Sequence, residues 1–212
     1  MTDLVLYDYW RSSAAYRLRI ALGLMGLDWK AVPVNLQKGE HRAPEHVARN
    51  PQGFVPALEI DGQMLSQSLS IIEYLDETRK AGFLPSDAAG RQRVRAISYA
   101  IAMEIHPVCN LSVATHAVKA SGGAITMAGW MQAFIPDRLA AVEQMLDSAQ
   151  TGRFTHGDTV TMADICLVPQ VYNARRWEVD LGAMPRICAV MEALEAIPAV
   201  AAAHPDKHNP EA

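Results

Sequence analysis

Cysteine is scarce in this chain: 212 residues hold three, Cys109, Cys166 and Cys188. An odd number of widely separated thiols, mostly set in apolar runs, argues against a disulfide framework or a metal site, so all three are expected to be reduced, buried and structural. Long apolar runs are lacking as well. No stretch approaches the roughly 18 residues that a membrane span requires, and no basic-then-apolar leader stands before Asp3, so a cytoplasmic protein without a membrane partner is expected. Charge of one sign does not accumulate either. The formal net charge is −4 with no block of like charges, which leaves no footprint for nucleic acid and points to a small ligand. Repeats and low-complexity tracts are missing too. What is present is 50% apolar content with 20% charged residues, the balance of a chain able to bury a core.

The pattern along the chain predicts elements in two styles. Residues 4–9 read as a buried strand, 14–27 as a helix with Gly26 just past its end, and 29–34 as a second strand, parallel to the first because the crossover is helical. A short helix over 46–49 closes at Asn50-Pro51. Strands over 55–60 and 63–65 follow around an Asp61-Gly62 turn, and a helix over 68–79 carries Ile71, Ile72 and Leu75 on one face. The order β-α-β-α-β-β-α thus completes a small α/β layer, taken as a domain over 1–80. The Gly-, Pro-, Ser- and Asp-rich stretch 81–90 reads as a linker, and 91–212 as an all-helical domain. Its helices are expected over 91–119 with a bend at Pro107, over 127–148 with Pro136 bending or dividing it, over 162–177, and over 184–196. Thr161 and Asp164 form a capping box for the third. The tail from His204 is expected to be loosely ordered.

Several places carry chemistry beside a plain structural alternative. Ser12 and Ser13 stand where the first strand hands over to a helix, so they either cap that helix or face an anion at its donor-rich start. Val55-Pro56 opens a strand in a way compatible with an edge or a cis bond, leaving the Val55 backbone free to pair with an extended peptide. Gln67-Ser68 forms a second helix start suited to a carboxylate, or simply a cap.

Taken together, Ser12-Ser13 with Arg17 to Leu22, Asn50 to Leu58, Gln67 to Leu75, Asn110 to Val113 and Asp164 to Val171 resemble the zeta class of the cytosolic glutathione transferases. The likeness covers nearly the whole chain. It implies a thioredoxin-like N-terminal domain followed by an all-helical one, a homodimer, and glutathione as cofactor. It further implies glutathione-dependent cis-trans isomerisation of a maleyl keto-acid in aromatic catabolism such as tyrosine degradation, with conjugation, dehalogenation or ligand carriage as alternatives. By the same likeness glutathione is held by Ser12 or Ser13, Val55, Gln67 and Ser68. His41 and Gln52 lie where the family contacts the glycine end, although His41 also fits a solvated loop. His106 and Asn110, four apart and hence expected on one face of a long helix, match positions that close over the ligand, while His106 also fits a structural role. Arg11 and Arg176 match arginines suited to a dicarboxylate substrate, against a default of surface residues favoured near a helix end. Arg175 is expected to point outward. One departure stands out: the zeta pattern continues the serine pair with cysteine, and this chain has Ala14, which weakens dehalogenation more than isomerisation.

Overall fold

The computed structural model describes residues 4–210. Four short segments build one sheet: β1 (Val5–Asp8), β2 (Lys30–Pro33), β3 (Ala57–Ile60) and β4 (Gln63–Ser66), in the order β2-β1-β3-β4. β1 runs parallel to β2, with Val5 opposite Lys30, and antiparallel to β3, with Leu6 opposite Leu58. The helical crossover α1 (Ser13–Leu24) makes the first pairing parallel, and the Asp61-Gly62 turn makes β3 and β4 antiparallel. Both turn residues have positive φ, 55° and 72°, the conformation that matches the twist of a two-residue hairpin. α2 (Pro44–Arg49) and α3 (Ser68–Arg79) complete the expected β-α-β-α-β-β-α order.

Local chemistry sets the ends of α1. Ser12 caps it, its Oγ accepting the Ala15 N–H at 3.2 Å. At the other end Gly26 takes φ 65°, which lets Gly26 N–H reach the Gly23 carbonyl and Leu27 N–H the Leu22 carbonyl. Leu18, Ile20 and Leu22 of α1 are fully buried, as are Leu6 and Leu58 of the sheet and Ile72 and Leu75 of α3. Truncating any of these leucines to alanine would cost about 2–5 kcal/mol.

The second style of sequence gives helices α4 (Ala88–Tyr99), α5 (Leu111–Ala120), α6 (Met127–Met145), α7 (Met162–Arg176) and α8 (Pro185–Glu195). α7 is buried almost all round and starts from the expected capping box: Asp164, fully buried, accepts from Thr161 N–H at 2.7 Å and Thr161 Oγ1 at 2.9 Å. Its second carboxylate oxygen accepts the Thr155 N–H at 2.8 Å. Pro136 lies inside α6 without dividing it.

Two expectations are corrected. The single long helix over 91–119 does not form: α4 widens into a π-helical turn over Ala100–Ile105, marked by His106 N–H bonding the Ile101 carbonyl five residues back. Pro107 then brings no N–H to continue the ladder, and Asn110 starts a new helix by accepting the Ser112 N–H. The tail, expected to be loose from His204, is ordered as far as the described residues reach, with 211–212 outside them: after α9 (Pro198–Ala202) a short 3₁₀ turn spans Pro205–His208, with Pro205 buried.

The chain divides into two compact units, Met1–Phe83 with Ala196–Ala212, and Leu84–Glu195. The last segment therefore groups with the sheet rather than with the helices that precede it. α9 packs against α1, and the Ala203 carbonyl accepts from the buried Arg19 of α1.

Candidate functional site

In the first unit the sequence-selected residues gather around the starts of α1 and α3. Ser13 is the first helical residue of α1, so its N–H and that of Ala14 have no carbonyl to bond within the helix. The Ser12 oxygen accepts from Ala15, which leaves its own hydroxyl hydrogen available to donate. The Ser13 hydroxyl bonds no group among the described residues. These two hydroxyls and two amides form one donor cluster at the positive end of a helix.

The Val55-Pro56 peptide is cis, and Val55 lies just before the ladder, which begins at Ala57. Its side chain packs into the cluster of Tyr7, Tyr9, Val34 and Ala57, while its backbone N–H and C=O bond no backbone group among the described residues. The preceding carbonyl, that of Phe54, is held from two sides: His46 Nε2 and Asn50 Nδ2 each lie 2.9 Å from it. Because a carbonyl only accepts, His46 carries its proton on Nε2. Asn50 also accepts the Gln52 N–H at 3.2 Å, and its carbonyl takes the Gly53 N–H at 2.9 Å. His46 and Asn50, both nearly fully buried, hold the backbone just before Val55, a placement the motif reading did not assign to them. Their signal was available, since two polar residues around a short helix in an apolar layer need internal partners.

At the start of α3, Gln67 adopts φ 69° and ψ 102°, a conformation an L-residue rarely takes. Its Nε2 donates to Gln52 Oε1 at 2.6 Å, joining two of the selected residues directly. Ser68 is buried and accepts from Arg17 Nη1 at 3.2 Å. That donation turns the Ser68 hydroxyl into a donor and places a positive charge behind the helix start, so the position favours a carboxylate. Arg17 and Arg19 were also missed as supports. Two charges inside the apolar run Tyr16 to Leu22 were the cue.

His41 sits in a 3₁₀ turn, Glu40–Arg42, and its carbonyl lies 3.2 Å from where a Cβ on Gly53 would stand. The turn and the 52–53 bend are therefore in close approach, and Gly53 has φ 63°. His41 Nδ1 is buried with no hydrogen-bond partner among the described residues, and its pKa is lowered, first by burial and then by Arg42 and His46. Arg11 is half-buried, its Nη2 3.4 Å from the Tyr9 hydroxyl and its guanidinium 5.0 Å from the Trp10 ring.

The helical unit carries the remaining candidates. Arg176 is exposed at the end of α7, its guanidinium 5.1 Å from the Trp177 ring. Arg175 points outward as expected and pairs with Glu195. His106 and Asn110 do not share the face of one helix: His106 closes the π turn, and Asn110 is an extended N-cap with φ −71° and ψ 145° whose Oδ1 accepts from Ser112. Trp130 Nε1 donates to the Val108 carbonyl at 2.9 Å and fixes the segment between them. Cys109 is buried, and burial pushes its thiol up to about 11, which removes it as a nucleophile. Cys188 corrects the expectation that all three thiols are buried, since it is exposed on α8 with its Sγ 3.5 Å from the Leu181 carbonyl. Among the described residues no cluster of His, Cys, Asp or Glu could hold a metal, and no helix is long and apolar enough to cross a membrane.

A thioredoxin-like sheet unit with a donor cluster at the start of α1, joined to a helical unit, defines the glutathione transferase architecture. The chain matches the model of the glutathione S-transferase N-terminal domain over residues 2–77 and that of the C-terminal domain over 110–203, and it belongs to this family. It is 59% identical to the maleylacetoacetate isomerase of Rhizobium meliloti (strain 1021), over 98% of this chain and 99% of that protein. The holo structure of a maleyl pyruvate isomerase, a bacterial zeta-class member, superposes with a TM-score of 0.92 at 40% identity, covering 98% and 99% of the two chains. The maleylacetoacetate isomerase of Anaeromyxobacter dehalogenans 2CP-1, solved with dicarboxyethyl glutathione and citrate in its active site, gives 0.85 at 40% identity, covering 100% and 99%.

Proposed function

We propose that this protein is a glutathione-dependent cis-trans isomerase that converts a maleyl keto-acid, maleylacetoacetate or maleylpyruvate, to its fumaryl isomer. The observation that carries this reading is the paired helix starts of the first unit, whose serine oxygens accept from Ala15 N–H and Arg17 Nη1 and so keep their own hydroxyl hydrogens available to donate. A tripeptide with a carboxylate at each end and a thiol between them fits such a frame. Ser68 and the start of α3, with Gln67, take one carboxylate, and the Val55 backbone pairs with the central peptide group. His41 and Gln52 take the glycine end.

The hydroxyls of Ser12 or Ser13 and the free amides of α1 donate to the sulfur, favouring its ionised form. Bound glutathione supplies a thiolate that adds to the cis double bond and later departs, so that the bond turns while it is single. Arg11 and Arg176 are assigned to the substrate's carboxylates and to the charge that moves onto its conjugated carbonyl, because a guanidinium grips a carboxylate with two parallel hydrogen bonds. His106 and Asn110 are assigned to the cover of the ligand. Ala14 offers no thiol, so the sulfur at this helix start is that of glutathione. The ligand dicarboxyethyl glutathione in the Anaeromyxobacter relative combines glutathione with a dicarboxylate, the pairing this reading requires. A cytoplasmic homodimer acting in aromatic catabolism such as tyrosine degradation completes the proposal.

The test follows the absorbance of maleylacetoacetate and of maleylpyruvate with and without glutathione, and measures glutathione at the end. Isomerisation to the fumaryl acid with glutathione undiminished is expected. Stoichiometric loss of glutathione would make the protein a conjugating transferase instead, and conversion that ignores glutathione would end the reading. Arg176→Ala should raise KM for the maleyl acid, and an unchanged value removes Arg176 from the substrate site.

A further inference from the structure

Arg19 is completely buried on α1, yet its guanidinium reaches three separate stretches of chain. Nη1 donates to Asp8 Oδ2 of β1 at 2.6 Å, Nη2 to the Trp10 carbonyl at 2.8 Å, and Nε to the Ala203 carbonyl just past α9 at 3.1 Å. The charged groups around it are Asp8, which compensates it, and His208 of the last turn, whose pKa is lowered by burial first and by the Arg19 charge next. Its guanidinium also lies 5.3 Å from the Tyr16 ring.

A buried ion pair of this kind is weak evidence for stability, because apolar residues of similar volume fill the same space without desolvating two charges. Its distinctive property is directional. A planar fork with donors on three nitrogens fixes the relative positions of everything it touches, which neither an aliphatic side chain nor a lysine can do. Here the fixed objects are the C-terminal end of β1, the C-terminal segment and the Trp10 carbonyl. Ser12 N–H closes the same turn on the Tyr9 carbonyl at 2.8 Å, so the Trp10–Arg11 peptide is held from inside. That peptide aims the Arg11 side chain and the Ser12 oxygen.

We infer that Arg19 is a positioning residue for the thiolate of glutathione: it locks the turn that carries Arg11, Ser12 and Ser13 onto the sheet and onto the C-terminal segment. This rests on the reading that the start of α1 holds the sulfur. A donor cluster stabilises an anion in proportion to how little it must reorganise, so loosening this turn weakens thiolate stabilisation without removing any group that touches sulfur.

The experiment titrates the ultraviolet absorbance of the thiolate in the glutathione complexes of the parent protein, Arg19→Lys and Asp8→Asn, with circular dichroism and thermal melting to establish folding. The parent should bind glutathione with its thiol more acidic than in free solution; failure here overturns the reading of the site itself. Arg19→Lys should raise the bound thiol's pKa by about one unit, a loss of thiolate that approaches tenfold where the pH lies below the parent's thiol pKa. Its kcat/KM should fall by up to about tenfold in that range and recover at alkaline pH, a recovery that a merely structural defect would not give. Folded Arg19→Lys with the parent's thiol pKa and pH profile overturns the inference. If Arg19→Lys does not fold, Asp8→Asn decides: leaving the guanidinium uncompensated by itself favours the thiolate, so an upward shift can come only from the loosened turn and supports the inference, while an unchanged or lowered thiol pKa overturns it.

Discussion

Gln67 Nε2 donates to Gln52 Oε1 at 2.6 Å, joining the start of α3 to the bend before the Val55-Pro56 peptide. Gln67 makes this contact from a left-handed backbone conformation, φ 69°, that costs an L-residue about 1–2 kcal/mol. Replacing it with glycine removes the side chain and the conformational penalty together. Gln67→Gly should therefore melt no lower than the parent, while its KM for glutathione rises roughly tenfold or more, the loss expected of a hydrogen bond to a charged group. Calorimetric melting and steady-state kinetics check both halves, and a lower melting temperature with unchanged KM would make Gln67 purely structural.

The two serines separate by stability. Ser12 caps α1, so Ser12→Ala should cost about 1 kcal/mol, whereas Ser13, already inside the helix, caps nothing and its alanine variant should melt like the parent. Whichever serine faces the sulfur should lower kcat by about 10²-fold or more on removal. Paired melting and kinetic measurements on the two variants assign the role, and equal small kinetic effects would move the thiolate off both hydroxyls.

His41 is predicted to take up a proton when glutathione binds. Its pKa in the free protein is depressed below the ordinary histidine value by burial, then by Arg42 and His46, so the neutral form is favoured. A carboxylate placed beside it favours the charged form and raises the pKa. Binding near pH 6 should then draw protons onto His41, a contribution to the way the binding enthalpy varies with the ionisation enthalpy of the buffer, and His41→Gln should remove that uptake and leave only the proton released as the thiol ionises. The same depression gives a stability sign: the unfolded chain protonates first, so stability is full above the unfolded pKa and declines as pH falls through the window beneath it.

Asp164 should matter for folding and not for chemistry. It is fully buried and accepts from Thr161 N–H, Thr161 Oγ1 and Thr155 N–H. Asp164→Ala leaves these donors unsatisfied and should destabilise by about 3 kcal/mol or more, read as a lower denaturation midpoint. The surviving folded fraction should bind glutathione with the parent's affinity, and a selective loss of binding would contradict the assignment.

Local chemistry made much of this protein legible in its sequence. The strand-helix-strand start, the Asp61-Gly62 hairpin, the helix over Ser68–Arg79 and the Thr161–Asp164 box each depend on residues within a few positions of one another, and all stand where the pattern puts them. The candidate residues of the first unit were legible for the same reason, as serines and amides at helix starts. The break of the 91–119 helix was not, because a π turn depends on how α4, α6 and α7 pack around it, and only Pro107 hinted at it. Exposure of Cys188 likewise depends on which face of α8 is covered.

The sequence by itself determined the β-α-β-α-β-β-α order of the first domain, the donor-rich helix starts, the absence of a thiol at Ala14 and the family. The tertiary structure alone decided which groups stand behind those starts. Arg17 behind Ser68, His46 and Asn50 on the Phe54 carbonyl, and Arg19 tying Asp8, Trp10 and Ala203 together are contacts between positions as far as 184 residues apart. Short-range pattern follows from backbone geometry, which repeats every two or 3.6 residues. Partners for buried polar groups are set instead by where the whole chain folds back on itself.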